Sequence, residues 1–235
     1  MDTRYELFIG SEFRVEWLCE EGTSVTGEEL NKVMGIVSGP ANKVLQGERP
    51  ALNLISRLSG IATKTAMVVK KAKAASFAGV IAGSRKTTPG LRMMEKYALL
   101  VGGADPHRLN LSTSVMLKDN HIDLVGSIGG AIQRARCVAG FTQKIEVEAR
   151  SVEQAIEEAA EGADIVMVDN FEPMDAKLAA QKIKARYPHV VVEASGGMDD
   201  ERMGEYFCPW IDVISMGGNL TQNVSIVDFS LKIFK

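Results

Sequence analysis

The chain has 235 residues, with 27 lysines and arginines against 30 aspartates and glutamates, for a net charge of −3. Apolar residues make up 46% and charged residues 24%, an ordinary globular mix with length for a sizeable core, which excludes a disordered or fibrous chain. With no basic excess there is no diffuse surface for nucleic acid, so a strongly basic site must be local and suits a small anion.

Cys19, Cys137 and Cys208 are far apart and form no CxxC pair, so neither a disulfide framework nor a zinc site is expected, and the protein is read as reduced and cytoplasmic. No apolar run approaches the roughly 18 residues of a membrane span, and the first residues lack the basic-then-apolar order of a signal peptide. No membrane partner is expected.

From Glu12 to Leu18 the residues alternate, with Phe13, Val15 and Trp17 on one side, which is the period of a half-buried strand. Val227, Phe229, Leu231 and Ile233 alternate in the same way, so a C-terminal strand is expected to close a small sheet with the N-terminal one. Met34 to Val37 offers a third strand. A long helical pattern follows from Glu48 to Ala75, with Leu52, Ile55, Leu58, Ala62, Thr65 and Val69 on one face. Ser59-Gly60 is expected to bend or interrupt it, because glycine inside a helix costs about 1 kcal/mol relative to alanine.

Val80-Ile81-Ala82 reads as a strand, Gly83 to Gly90 as a basic turn, and Leu91 to Val101 as a helix with Thr88 as its cap and Pro89 at its first position. Arg85 and Lys86 thereby face a helix N-terminus, where free N–H groups already favour an anion. Met93 and Met94 are read as core filler. Further strands are expected at Val115 to Lys118, Ile145 to Glu148, Asp164 to Asp169, Val190 to Gly197 and Ile211 to Gly218, most of them separated by single helical patterns. Strands joined in this way run parallel, so the fold class is a parallel α/β barrel. An open doubly wound sheet is disfavoured because no strand is followed by GxGxxG.

In such a barrel the chemistry gathers at the C-terminal strand ends. In order, these carry Arg85 and Lys86, Lys118, Glu148, Asp169, Ser195-Gly196-Gly197, and Gly217-Gly218. The glycine turns suit a phosphate. Glu148 and Asp169 can hold a magnesium ion or accept sugar hydroxyls, the plain alternative being a lysine partner. His107-Arg108 adds positive or switchable charge, and His121 is read as a loop residue.

On Gly47-Glu48-Arg49, Leu58-Ser59-Gly60-Ile61-Ala62, Arg85-Lys86-Thr87-Thr88-Pro89-Gly90, Glu95-Lys96-Tyr97, Lys118-Asp119-Asn120-His121, Val168-Asp169-Asn170, Glu193-Ala194-Ser195-Gly196-Gly197 and Asp212 to Gly217, the chain resembles the quinolinate phosphoribosyltransferase family. The resemblance implies a type II phosphoribosyltransferase barrel over residues 56–218. It also implies a partial, N-terminally shortened α/β sandwich over 1–55 and 219–235. The implied reaction joins quinolinate to phosphoribosyl pyrophosphate, giving nicotinate mononucleotide, pyrophosphate and carbon dioxide for NAD synthesis. Arg49, Arg85, His107, Arg108 and Lys118 would hold the quinolinate carboxylates, with Lys86 between them and the phosphoribosyl donor. Glu148 and Asp169 would face the ribose and Mg2+, while Ser195, Gly196 and Gly217 would take the 5′-phosphate. A homo-oligomer is implied, a dimer or a dimer-based hexamer, with Arg49 entering the neighbour's site. Two alternatives are an inactive short chain that only binds ligand or assembles with full-length subunits, and a nicotinate phosphoribosyltransferase that does not decarboxylate. The turn from Met216 to Thr221 carries one residue more than the resemblance predicts, making Gly217 and Gly218 partly interchangeable.

Overall fold

The computed structural model describes residues 13–27 and 31–234. Glu12, expected in the first strand, lies outside them. β1 (Arg14–Trp17) pairs antiparallel with β2 (Gly35–Ser38), Val15 opposite Val37, so the strand expected from Met34 to Val37 forms one residue later. The C-terminal segment does not join them. Among the described residues this sheet has two strands, and residues 224–234 form none.

Instead the tail lies along α1 (Ala41–Ala74), where Val227 N–H donates to the Ser56 carbonyl at 3.0 Å. The same contact explains why Ser59-Gly60 does not interrupt the helix. A Cβ on Gly60 would sit 2.1 Å from the Ser225 carbonyl oxygen, so the bare glycine is the groove in which the tail lies. The helix runs unbroken for 34 residues, across the expected boundary at 55/56, and serves both parts of the chain.

Six parallel strands follow: β3 (Val80–Ala82), β4 (Val115–Leu117), β5 (Ile145–Ala149), β6 (Ile165–Asp169), β7 (Val191–Ser195) and β8 (Val213–Ser215), in the order β3-β8-β7-β6-β5-β4. Cyclic neighbours in sequence order are the arrangement of a barrel. Beyond β3, Asp105 adds a parallel bridge to Ala82, exchanging hydrogen bonds with Gly83 and Ile81. Among the described residues the ladder is open between this segment and β4.

Helices α2 (Arg92–Val101), α3 (Asp119–Val125), α4 (Ile128–Ala139), α5 (Val152–Ala160) and α6 (Pro173–Arg186) connect the strands, and a 3₁₀ turn (Arg202–Tyr206) precedes β8. α4, α5 and α6 press alanine-rich faces on the sheet, with Ala131, Ala135, Ala155, Ala159, Ala176, Ala179 and Ala180 buried. Ser127 and Ser151 cap the starts of α4 and α5 by accepting N–H bonds from Gly130 and Gln154.

α2 begins three residues later than expected. Its N-cap is Leu91, and Thr88 stays in the turn because its N–H donates to Glu95 and its hydroxyl accepts from Arg57. Met93 is exposed rather than core.

Along β5 the period of two sends Ile145, Val147 and Ala149 outward to the helices and Glu146 and Glu148 inward. Register aligns Met116 with Glu146, Glu148 with Met167, Met167 with Glu193, and Asp169 with Ser195. One inward face therefore carries two glutamates on β5, Asp169 on β6, and Glu193 and Ser195 on β7. Lys118 follows β4 at the same end.

Candidate active site

The basic side of the site is built by two turns and one helix. Arg85 follows β3, Arg108 follows the Asp105 segment, and Arg92 and Lys96 lie one turn apart on α2. Lys96 is 4% exposed. Its ammonium donates to the carbonyls of Pro106 and His107, holding the turn in which His107 adopts φ +56. Burial, and then Arg92, lower Lys96 to about 8 against the pull of Asp105. Burial also lowers Arg108; Arg85 adds to this, while Glu146 and Glu193 oppose it. Arg85 Nε is buried without a hydrogen-bond partner. Cations crowded so that Arg85 and Arg92 lower their neighbours Arg108 and Lys96, with a buried donor left unused, make a site for an anion with more than one charged group.

His107 turns into the barrel. Its Nε2 lies 3.3 Å from Glu193 and 3.7 Å from Glu146, and its Nδ1 accepts the Arg108 N–H at 2.6 Å. Nε2, the nitrogen that faces the two glutamates, carries a ring proton. Burial works against charge on the ring, but the two glutamates outweigh it and raise His107; burial and Glu193 likewise raise Glu146. The three side chains have metal-like spacing, yet the proton on Nε2 leaves it a donor. The trio is an ion-paired support beside Arg108, in which neither Glu146 oxygen has a hydrogen-bond partner. Neither glutamate stood out in the sequence as a site residue; their inward period on β5 and β7 is the signal that could have found them.

On the acidic side Lys118 and Glu148 form an ion pair, so the lysine partner weighed as the plain alternative for Glu148 is present. His121, expected in a loop, lies in the first turn of α3, where its Nδ1 accepts the Lys118 N–H at 2.8 Å and holds the helix start. Burial first, and then the charge of Glu148, raise Asp169, with Lys118, a Ser195 hydrogen bond and Lys86 opposing. Asn170 donates to Asp169 at 2.6 Å. Two carboxylates at neighbouring strand ends, with Asp169 raised by the charge of Glu148, suit a divalent cation with oxygen ligands, so the donor set fits Mg2+.

The glycine side closes the ring. Gly196 has φ +98, and a Cβ there would lie 2.5 Å from the Asn170 nitrogen, so only glycine fits this turn beside Ser195. At Gly217 a Cβ would stand 3.0 Å from Lys86 Cδ and 3.3 Å from its Nζ, so Lys86 extends over the bare backbone of the last strand's turn. Gly218 carries the next turn, accepting from Gln222 at 2.7 Å.

Arg85, Lys86, His107, Arg108, Lys118, Glu148, Asp169, Ser195, Gly196 and Gly217 thus stand at one end of the sheet. Arg49 does not join them. It is exposed on α1, about 12 Å along the axis before Arg57 at 1.5 Å per residue, and makes no hydrogen bond or ion pair among the described residues. Arg57, Glu95, Lys96 and Thr221, which bind the turns together, were not expected as site residues.

No helix among the described residues is long and apolar enough to cross a membrane. Residues 61–232 match the family model for the quinolinate phosphoribosyl transferase C-terminal domain, and residues 2–59 match that for its N-terminal domain. The chain is 46% identical to a carboxylating nicotinate-nucleotide pyrophosphorylase of Dictyostelium discoideum, covering 98% of this chain and 80% of that protein. It is 45% identical to the human protein of that name, over 97% of this chain and 75% of the other. Among solved structures, NadC from Streptococcus pyogenes is similar with a TM-score of 0.85 and 38% identity, over 97% of this chain and 77% of that one. Two matching domain models, these relatives and the convergence of the strand-end residues agree: the chain belongs to the quinolinate phosphoribosyl transferase family.

Proposed function

We propose that this chain joins quinolinate to phosphoribosyl pyrophosphate, forming nicotinate mononucleotide and releasing pyrophosphate and carbon dioxide. The observation that carries the reading is the sorting of charge around one strand end. Arg85, Arg92, Lys96 and Arg108 crowd one side, Glu148 and Asp169 stand in the middle, and Lys86 lies over Gly217 on the other. The names of the relatives support the same chemistry.

In this reading Arg85, Arg108 and Lys118 engage the two carboxylates of the pyridine, and the His107 backbone and ring hold Arg108 in place. Ser195, Gly196 and Gly217 present the 5′-phosphate cradle. Glu148 and Asp169 hold Mg2+, which when bound offsets the charge of the pyrophosphate. The pyridine nitrogen attacks the ribose carbon as pyrophosphate leaves, so no protein nucleophile is required, and the alignment of the two substrates supplies most of the acceleration. The quaternary nitrogen then stabilises, by its charge, the electron pair left on the ring carbon when the adjacent carboxylate departs as carbon dioxide, and that carbon takes up a proton. Arg49, remote from its own strand ends, reaches the site of a second copy, which makes a dimer the smallest complete unit.

The test is release of labelled carbon dioxide from carboxyl-labelled quinolinate. Release that depends on phosphoribosyl pyrophosphate, with nicotinate mononucleotide formed in equal amount, is expected. Binding of both substrates without release would leave a binding protein, and turnover of nicotinate in preference would give the non-decarboxylating enzyme.

A further inference from the structure

The Arg57 guanidinium lies where four separate parts of the chain meet. Its Nε donates to Glu95 on α2 at 2.8 Å, and one terminal nitrogen donates to the Thr88 hydroxyl at 2.8 Å and to the Thr221 carbonyl at 2.7 Å. Arg57 itself belongs to α1. Glu95 is fully buried, and its second oxygen accepts the Thr88 N–H at 3.0 Å. Thr221 is also fully buried, and its hydroxyl donates to the Lys86 carbonyl. A closed circuit results. It runs from Arg57 through Thr221 to the Lys86 backbone, and from Arg57 through Glu95 and Thr88 to the same turn two residues on.

The two turns so joined are the one after β3, which bears Arg85 and Lys86, and the one after β8, which bears Gly217 and Gly218. They come from strands that are neighbours in the sheet, and the last backbone bond between them runs from Met216 N–H to the Ala82 carbonyl at 2.9 Å. Past that point the Thr221 hydroxyl bond to Lys86 and the Arg57 fork hold them together. Lys86 stands 3.3 Å from the Cβ position of Gly217, so a small opening between the turns would withdraw its ammonium from the backbone it covers.

We infer that Arg57 is a positioning residue that keeps the Lys86 turn closed against the Gly217 turn, setting affinity for the phosphorylated substrate rather than for the pyridine. This rests on the reading of the site given above. A lysine cannot replace it, because one ammonium cannot span acceptors on three elements in the plane that the guanidinium fork spans. Arg85 lies on the far side of its turn, among Arg108 and Lys96, and is tied to the circuit only through the chain.

The experiment compares wild type, Arg57→Ala, Arg57→Lys and Thr221→Val in two readouts. The first is hydrogen exchange of the amides in residues 84–90 and 216–222. Both turns are expected to lose protection together in all three variants, with β5 and β6 unchanged. The second is steady-state kinetics, where KM for phosphoribosyl pyrophosphate is expected to rise about tenfold or more, as for loss of one charge-assisted hydrogen bond, while quinolinate affinity by calorimetry shifts less than about threefold. Combining Arg57→Ala with Thr221→Val is expected to add little to either single change, since both break one circuit. Should Arg57→Ala not fold, Thr221→Val carries both readouts. Turns that lose protection independently, a KM that stays put, or quinolinate affinity that falls as far as that of the donor would overturn the inference. A wild type with no turnover would instead refute the proposed reaction, and the exchange readout would still decide the coupling of the turns.

Discussion

Replacing Lys118 by alanine probes the site where its two kinds of charge meet. Removing one partner from a desolvated, hydrogen-bonded charge pair costs about 2–5 kcal/mol. In the protein without substrate, however, Lys118 is paired with Glu148, and a dianionic ligand must draw it away. The Lys118 side chain is 47% exposed, so giving up that pair costs no more than about 1 kcal/mol. The net loss on Lys118→Ala is then about 1–4 kcal/mol, a drop in quinolinate affinity of roughly 5-fold to 1000-fold by titration calorimetry. A second consequence is specific to this geometry. The Glu148 side chain is 14% exposed and loses its counter-charge, so it faces the incoming carboxylates unpaired. Adding Glu148→Gln to Lys118→Ala is expected to recover about 1 kcal/mol or more, the value for two unit charges about 4 Å apart in water. Wild-type affinity in Lys118→Ala would refute the placement of Lys118 at the carboxylates. A double variant no tighter than the single would refute the part given to Glu148.

Asp169→Asn keeps the shape of the strand end and removes its charge; kcat is expected to fall about tenfold or more while quinolinate Kd moves less than about threefold, and unchanged turnover across a magnesium titration would remove Asp169 from the site. Glu158 on α5 is fully buried with neither oxygen hydrogen-bonded, and burial raises it from 4.5 to about 8. The fold therefore favours its neutral acid, and the stability this represents is full below pH 4.5 and is lost as pH rises to about 8. Glu158→Gln should flatten that part of the Tm-against-pH profile and be the more stable form at pH 9, whereas parallel profiles would mean that the carboxyl is paired or hydrated. Mixing Arg49→Ala chains with Lys118→Ala chains, each weakened on its own, should raise activity above that of either parent at limiting quinolinate, since one site of each hybrid draws both residues intact. Hybrids seen by mass spectrometry that gain no activity would place Arg49 outside the neighbour's site.

Particular elements show where sequence reasoning holds and where it stops. The strands from Val80 to Ser215 were legible because a buried parallel strand is a short apolar run bounded by turn residues, a signal within a few residues of chain. Their ends could be read as the site because strand direction in a parallel barrel follows from connectivity alone. The residues Val227 to Ile233 alternate as well as β1 does, yet they form no strand. An extended backbone needs a partner, and theirs is α1, opened by a glycine at position 60. The cap expected at Thr88 fails for a related reason: its hydroxyl and N–H are claimed by Arg57 and Glu95, which lie 31 residues before and 7 after it.

By itself, then, the sequence determined the class of fold, the order of the strands, and which residue types stand at their ends, because each depends on local period and chain direction. The tertiary structure alone decided that His107 meets Glu146 and Glu193 inside the barrel, that Glu148 pairs with Lys118 across 30 residues, and that Arg57 reaches Thr221 across 164. Those contacts arise when the sheet curls and brings distant strand ends together, and no local pattern encodes which side chains a curled sheet will place face to face.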